Sequence, residues 1–175
     1  MNIDLEGIVG RYYESITEPF EPTHPGAVWA SEVRNCARMI GFRLADVPRT
    51  EPFQFHSTFT FRMGNLIHLD VQKALELEYG DDVRFEVDWE TGGISGRADV
   101  VTADEVMEIK SINAFSFKAA VYGSKHVPPA GPKPEPKLQA LLSAFVLKKH
   151  RARVIFVTKG ATLREPITIA DWTYD

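Results

Sequence analysis

The sequence has little cysteine: Cys36 is the only one. A single thiol excludes an internal disulfide, a zinc site with four cysteines and an iron–sulfur cluster held by four cysteines. Free cysteine is among the residue types most often buried in proteins, so we expect Cys36 to be a buried thiol.

Long apolar runs are also missing. No stretch approaches the ~18 apolar residues of a membrane span, and residues 1–6 lack the basic and then apolar pattern of a signal peptide. We therefore expect a protein of the cytoplasm or nucleoid with no membrane partner. Hydrophobic residues make up 44% and charged residues 25% of the 175 residues, which is ordinary for one globular domain with a core.

Charge of one sign is not in large excess overall, since the net charge is −4. Residues 111–153 nevertheless contain eight basic residues and one acid, a net of +7 that leaves −11 for the rest. The basic residues are Lys118, Lys125, Lys133, Lys137, Lys148, Lys149, Arg151 and Arg153. Such a segment suits a phosphate-backbone partner. Solvated charge is the alternative, here and for Arg34 and Arg38, which lie one turn apart on a predicted helix.

Hydrophobic periodicity predicts a succession of helices and strands. The helices are expected over residues 5–17, 31–44 with Ser31 as N-cap, 59–79, 115–122 and 137–149. The strands are expected over residues 83–89, 94–101, 106–110, 153–158 and 163–169. The proline-rich residues 126–136 predict an extended, exposed loop, and residues 170–175 a tail.

This order of elements indicates an α/β fold with a mixed central sheet flanked by helices and an N-terminal helical segment. The first three strands would form an antiparallel meander through a Gly92-Gly93 turn. The strand of Val154 would run parallel to that of Val106 after a crossover. Two buried faces are expected, listed by position: Val83, Phe85, Val87 and Trp89 on one strand, and Leu138, Leu141, Leu142 and Phe145 on the last helix.

Two acids face each other in the predicted hairpin of residues 94–110. A turn centred on Ala103 and Asp104 would pair Val100 with Met107 and Asp99 with Glu108. Because side chains alternate along a strand, Asp99, Glu108 and Lys110 would share one face. The other face would be hydrophobic, with Ala98, Val100, Met107 and Ile109.

Facing carboxylates repel, so a divalent cation such as Mg²⁺ is the natural compensation. A cation, its water and the ammonium of Lys110 together form a site for phosphodiester hydrolysis. Gly96 would allow a metal or a backbone to approach closely. An exposed hairpin face with unrelated charges is the alternative. His68 lies in the apolar stripe of a predicted helix, with Gln72 one turn later. Considered alone, a histidine in such a position is more often a core residue than a metal ligand.

Four sequence elements, in this order, resemble the PD-(D/E)XK nuclease superfamily and more closely its RecB-like branch, which includes phage and CRISPR-adaptation exonucleases. They are Gly64-x-x-x-His68, Gly96-Arg97-Ala98-Asp99, Glu108-Ile109-Lys110 and Gln139. The resemblance covers residues 28–169 and implies a restriction-endonuclease-like core. Residues 1–175 would form a single nuclease domain, with a helical part over 1–58 and a catalytic core over 59–170.

The resemblance also implies roles for these residues. His68, Asp99, Glu108 and the Ile109 carbonyl would bind Mg²⁺ or Mn²⁺, and Lys110 would position the attacking water. Gln139 matches the glutamine of the family motif Gln-x-x-x-Tyr, which contacts DNA or supports the lysine, but Ser143 replaces the tyrosine. Some relatives carry an iron–sulfur cluster, and none is expected here because Cys36 is alone.

The expected function is a metal-dependent deoxyribonuclease, an exonuclease in DNA processing, recombination or repair in the cytoplasm of a bacterial, archaeal or phage-infected cell. Its partner would be DNA, as single strands or duplex ends, contacted by Arg34, Arg38, Lys118, Lys125, Lys133 and Lys137. The alternatives are a catalytically idle nucleic-acid-binding module and a phage accessory interaction protein. A protein partner, a homo-oligomer and the number of metals are left open.

Overall fold

The structure is a computed structural model, and it describes residues 4–15, 26–48, 55–121, 134–159 and 167–173. Its helices are α1 (Leu5–Ser15), α2 (Ala37–Leu44), α3 (Phe55–Tyr79), α4 (Ala114–Val121) and α5 (Pro134–Val146). Its strands are β1 (Val28–Trp29), β2 (Arg84–Thr91), β3 (Ile94–Val101), β4 (Glu105–Ile112), β5 (Arg151–Thr158) and β6 (Ile167–Thr173). Among the helices in these ranges, none is long and apolar enough to cross a membrane.

The strands of the described ranges form one mixed sheet. β2, β3 and β4 are successively antiparallel, β4 and β5 are parallel, and β6 is antiparallel to β5. The predicted meander and the parallel pairing of the Val106 and Val154 strands are therefore confirmed. Gly92 and Gly93 form the β2–β3 turn with φ of 54° and 77°, values that favour glycine.

Helices cover both faces of this sheet. Alternate residues of β4 and β5 enter two separate hydrophobic clusters, because side chains alternate along a strand. The cluster beside α5 includes Val106, Val154, Phe156, Ala140 and Ala144. The cluster beside α3 includes Met107, Ile155, Val157, Ile67 and Val71. The predicted architecture, a mixed central sheet flanked by helices, is confirmed.

Small residues of α5 are buried most deeply against the sheet, and Leu141 and Leu142 of its predicted apolar stripe pack beside them. Ala140, Ser143 and Ala144 are buried, whereas Phe145 is 71% exposed, so its predicted burial is wrong. α5 also begins at Pro134, inside the predicted loop, because the fixed φ of proline suits the first turn of a helix. Residues 126–133 of that predicted loop lie outside the described residues.

The helix predicted from Ser31 is interrupted. Ala30–Glu32 form a 3-10 turn, and α2 begins only at Ala37 with Cys36 as its N-cap. The Glu32 carboxylate holds the turn, because it accepts hydrogen bonds from the Trp29 backbone N–H at 3.1 Å and from Arg43 at 2.6 and 2.8 Å. Cys36 is exposed at the helix end, so the prediction of a buried thiol is wrong.

The C-terminal tail predicted over residues 170–175 is also wrong for residues 170–173. These residues continue β6, where Ala170 pairs with Val154 and Thr173 with Arg151. Pairing with β5 satisfies backbone groups that an isolated tail would leave to water. The predicted strand start at residues 163–166, the end of the first predicted helix at residues 16–17 and the final two residues lie outside the described residues.

Candidate active site

The β3–β4 hairpin has the predicted register near its turn. Val100 pairs with Met107 and Val101 with Val106. The Thr102 backbone N–H donates to the Glu105 carbonyl at 2.9 Å and closes the turn. A short turn with β-branched residues on both sides thus determines which residues of β3 and β4 face each other.

The two strands separate at Asp99. β2 lies along one edge of β3, and along the other edge β4 pairs with Val100 and Val101 whereas β1 pairs with Ile94 and Ser95. In place of a continued ladder, the Asp99 carboxylate accepts a hydrogen bond from the Ile109 backbone N–H at 2.6 Å. This bond fixes a buried carboxylate in the opening between the strands.

The side chains of β2 and β3 switch from one face of the sheet to the other at the level of Asp99. Phe85 and Val100 belong to the cluster beside α3, whereas Val87 and Ala98 belong to the cluster beside α5. Strict alternation is interrupted at Glu86, whose backbone φ is 50°. The prediction that Phe85 and Val87 share a face is therefore wrong, as is the prediction that Ala98 and Val100 do.

Glu108 lies fully buried on β4 beside Lys110. The Lys110 Nζ donates to its Oε1 at 2.5 Å, while Oε2 has no hydrogen-bond partner among the described residues. Burial first, and then the charge of Asp99, raise the pKa of Glu108 to about 8, although Lys110 opposes the rise. A buried carboxylate oxygen without a partner is unfavourable, so this side fits a cation.

The charges of Asp99 and Lys110 follow from the same surroundings. Burial raises the pKa of Asp99, against the opposing effects of Lys110, His68 and the Ile109 N–H. Burial alone would lower the pKa of Lys110, but the carboxylates of Glu108 and Asp99 raise it above its usual value. Lys110 is therefore held as an ammonium beside two acids.

His68 approaches this opening from α3. Its Nδ1 lies 3.8 Å from the Asp99 Oδ2, and its side chain is half-buried. Four residues earlier, a Cβ at Gly64 would lie only 3.1 Å from the Ser111 Oγ of β4. The absence of a side chain at Gly64 thus lets α3 approach the sheet closely enough to bring His68 to Asp99.

Glu86 is the site residue that the sequence analysis missed. Ligand atoms of His68, Glu86 and Asp99 lie within 4.8 Å of one another, in a group that does not include Glu108. The Gln72 Nε2 donates to the Glu86 Oε1 at 2.7 Å. The sequence did contain a signal for Glu86, because the Gly92-Gly93 turn sets the register between β2 and β3. This register places Glu86 opposite Asp99, with a paired residue on either side.

Comparison with known proteins establishes the fold. No protein-family model and no curated protein sequence matches the chain. An alkaline exonuclease (LHK-Exo) from Laribacter hongkongensis aligns with a TM-score of 0.61 at 14% identity, over 87% of this chain and 79% of its own. The chain has a PD-(D/E)XK-like nuclease fold.

Two further solved structures have the same fold. LHK-Exo in complex with dAMP gives a TM-score of 0.58 at 18% identity, covering 87% of this chain and 80% of its own. SSO0001 gives 0.58 at 15% identity, covering 98% of this chain and 78% of its own. The restriction-endonuclease-like core implied by the sequence resemblance agrees with these likenesses, which concern the fold.

Within this nuclease fold, the helix that carries Gln139 is hydrogen-bonded to a tryptophan of the sheet. Gln139 is half-buried on α5. Ser143, which replaces the family's tyrosine, is buried, and its Oγ accepts a hydrogen bond from the Trp89 Nε1 at 2.9 Å. A Cβ at Gly96 would overlap the ring of Trp89. Gly96 thus makes room for this indole, and not for a metal or backbone as the sequence suggested.

Of the basic residues predicted to contact nucleic acid, the structure describes the side chains of Arg34, Arg38 and Lys137. Arg34 lies 3.9 Å from the Glu135 Oε1, at the surface between the 3-10 turn and α5. Arg38 is exposed on α2, and Lys137 is half-buried on α5. Lys118 belongs to α4, with its side chain outside the described part, and Lys125 and Lys133 lie outside the described residues.

Proposed function

We propose that the protein is a divalent-metal-dependent nuclease that hydrolyses DNA phosphodiester bonds. The observation that carries the proposal is the pair of buried carboxylates, Asp99 and Glu108, beside the Lys110 ammonium where β3 and β4 separate. Like charges buried together destabilise a fold unless a cation offsets them. Their presence in a nuclease fold therefore favours a cation site at this position.

The proposed ligands of Mg²⁺ or Mn²⁺ are His68, Asp99, Glu108 and the Ile109 carbonyl. Carboxylate and carbonyl oxygens suit both ions, and the buried Oε2 of Glu108 has no hydrogen-bond partner among the described residues. When bound, the cation lowers the pKa of a bound water and neutralises charge on the scissile phosphate. The ligand set contains no cysteine, and we propose no iron–sulfur cluster.

Lys110 would position the attacking water and stabilise negative charge on the phosphate. Its ammonium contacts the fully buried Glu108, while its own side chain is 31% exposed. It therefore extends from the buried acid to the solvent-accessible surface. The neighbouring carboxylates raise its pKa, so that the ammonium is retained at the pH of the cytoplasm.

We propose DNA as the substrate, as single strands or duplex ends, and an exonuclease acting in DNA repair, recombination or phage DNA processing in the cytoplasm. The likeness to LHK-Exo, described as an alkaline exonuclease and also in complex with dAMP, supports an exonuclease over an endonuclease. Residues 1–175 would form one nuclease domain with its catalytic core over 59–170. Gln139 would assist Lys110 or contact DNA, with further contacts from Arg34, Arg38, Lys118, Lys125, Lys133 and Lys137.

Cleavage of matched linear and circular DNA, labelled at the ends or internally, tests the proposal. We expect Mg²⁺ or Mn²⁺ to support release of nucleotides from ends, EDTA to abolish it, and closed circles to resist it. Cutting of circles would indicate an endonuclease and contradict an exonuclease. Metal-independent DNA binding without cleavage, unchanged in Asp99→Ala and Lys110→Ala, would contradict the proposal and indicate a catalytically idle binding module.

A further inference from the structure

Glu86 is a carboxylate at this opening to which the family resemblance gives no role. It occupies the position of β2 opposite Asp99, between the bridged pairs Phe85 with Val100 and Val87 with Ala98. Ligand atoms of Glu86, Asp99 and His68 all lie within 4.8 Å of one another. Donors bound at about 2.1 Å to one Mg²⁺ lie no more than about 4.2 Å apart, so a small side-chain adjustment allows all three to share an ion.

Gln72 fixes the carboxylate of Glu86. The buried amide donates from Nε2 to the Glu86 Oε1 at 2.7 Å, and the same nitrogen lies 3.4 Å from the Asp99 carbonyl oxygen. The other oxygen of Glu86, Oε2, lies 4.0 Å from the Arg97 Nε, beyond hydrogen-bond distance. One oxygen is thus held by Gln72, and the second makes a long ion pair with Arg97, whose closer partner is Asp88, so an ion can take the place of this contact.

The backbone of Glu86 supports the same conclusion. Its φ of 50° lies in the left-handed region, which glycine adopts readily and glutamate rarely does. This conformation coincides with the change of faces in β2, which brings Glu86 within reach of Gln72 on α3. A strained glutamate at a position that glycine would occupy without strain indicates a use for its carboxylate.

The side chain of Glu108 provides a second observation, independent of Glu86. Glu108 is fully buried, and its Oε2 has no hydrogen-bond partner among the described residues. Lys110, His68 and Arg97 lie beside the acids of this opening, but Arg97 also pairs with Asp88. None of the three donates to the buried Glu108 Oε2, so this oxygen fits a cation.

We propose that Glu86 is a cation ligand of this site and that Gln72 is the positioning residue that orients it. The inference rests on the proposed function, because it extends the same metal site. It adds a ligand from β2 on the side of α3, so the hairpin residues and His68 alone would not give full affinity. The cation expected is Mn²⁺ or Mg²⁺.

Binding of Mn²⁺ to the chelator-treated full chain, measured from the free-ion signal in electron paramagnetic resonance, tests this inference. Glu86→Gln keeps the shape of the side chain and removes its charge, and we expect it to raise the Kd for Mn²⁺ at least about tenfold. The matched control is Glu90→Gln, the same substitution at another exposed position of the same strand. It should leave the Kd within about twofold, by the same reasoning. A Kd for Glu86→Gln within twofold of that of the unmodified chain would overturn the inference.

Glu86→Gly keeps the test informative if the glutamine variant folds poorly. Glycine adopts a φ of 50° without strain, so this variant should fold at least as well as the unmodified chain and still lose affinity for Mn²⁺. Retained affinity in a folded Glu86→Gly variant would equally refute the role of the carboxylate.

The positioning role of Gln72 is tested by a double-mutant cycle. Gln72→Met removes the donor at similar size, and we expect it to raise the Kd about threefold or more when Glu86 is present and by less than about twofold in the Glu86→Gln background. Equal losses in both backgrounds would assign Gln72 a general structural role. An unchanged Kd with Glu86 present would refute its positioning role.

Asp99→Asn separates failure of this inference from failure of the proposed function. If the unmodified chain binds no Mn²⁺, the metal site and the role of Glu86 are both overturned. If Asp99→Asn loses Mn²⁺ and Glu86→Gln does not, the metal site stands and only the role of Glu86 fails.

Discussion

Replacing Glu108 by glutamine should raise the free energy of unfolding of the metal-free protein at alkaline pH. Glu108 is fully buried, and burial followed by the charge of Asp99 raises its pKa from 4.5 to about 8. Below pH 4.5 this carboxyl is protonated in the folded and the unfolded chain, so its contribution to stability is complete there. As the pH rises toward 8, the unfolded chain releases the proton and the folded chain retains it, so stability is lost.

The size of this effect follows from the displacement of the pKa. At about 1.4 kcal/mol for each unit, the change corresponds to a limit of about 5 kcal/mol. Water penetration and relaxation around a buried charge reduce such penalties, so we expect about 2 to 5 kcal/mol. Glutamine resembles the protonated carboxyl in shape and does not titrate. The variant and the unmodified chain should therefore differ by less than about 1 kcal/mol near pH 5 and by the full amount near pH 9.

Urea unfolding in EDTA, followed by circular dichroism across this pH range, measures the difference. Glu90→Gln, on an exposed part of β2, should show no such pH-dependent gain. Adding Mn²⁺ should reverse the order, because an ion that binds only the folded state stabilises the chain with the complete ligand set. A Glu108→Gln variant that is no more stable than the unmodified chain near pH 9 in EDTA would refute the reasoning.

Four further outcomes are expected. Asp99→Asn keeps an oxygen that can accept the Ile109 N–H, so its melting temperature should hold while cleavage of labelled DNA falls at least about 10²-fold; near-normal cleavage would contradict its role as a ligand. Lys110→Met should lower kcat by about 10²–10³-fold with little change in DNA affinity, and a loss confined to affinity would make Lys110 a binding residue only. Gly96→Ala should cost about 1–3 kcal/mol in urea unfolding because its methyl group meets the ring of Trp89, whereas Gly26→Ala, with open space around its Cβ, serves as the control. Lys137→Gln should reduce the salt slope of DNA binding by about 1, and an unchanged slope would remove Lys137 from the interface.

The register of the β3–β4 hairpin was predictable because it is a local property. A short turn between two apolar runs determines the pairing of Val100 with Met107 and of Val101 with Val106 without help from the rest of the chain. The continuously apolar run of β5 predicted a strand covered on both faces for a similar reason. Such patterns need only neighbouring residues.

Burial of individual side chains was predicted less well, because it depends on what each element packs against. The alanines and Ser143 of α5 face the sheet while Phe145 points away, although all of them follow helical spacing. Cys36 is exposed because α2 starts there, after a turn held by Glu32 and Arg43. Periodicity gives the face of a helix approximately, and packing selects the residues within it.

By itself, the sequence determined the order of the elements, the hairpin that carries Asp99, Glu108 and Lys110, and the helix that carries His68. Only the tertiary structure decided that β3 and β4 separate at Asp99 and that Glu86 and Gln72 join His68 there. The physical reason is distance along the chain. The bond between Gln72 and Glu86 and the left-handed backbone of Glu86 depend on α3 packing against the sheet, which no local pattern of residues encodes.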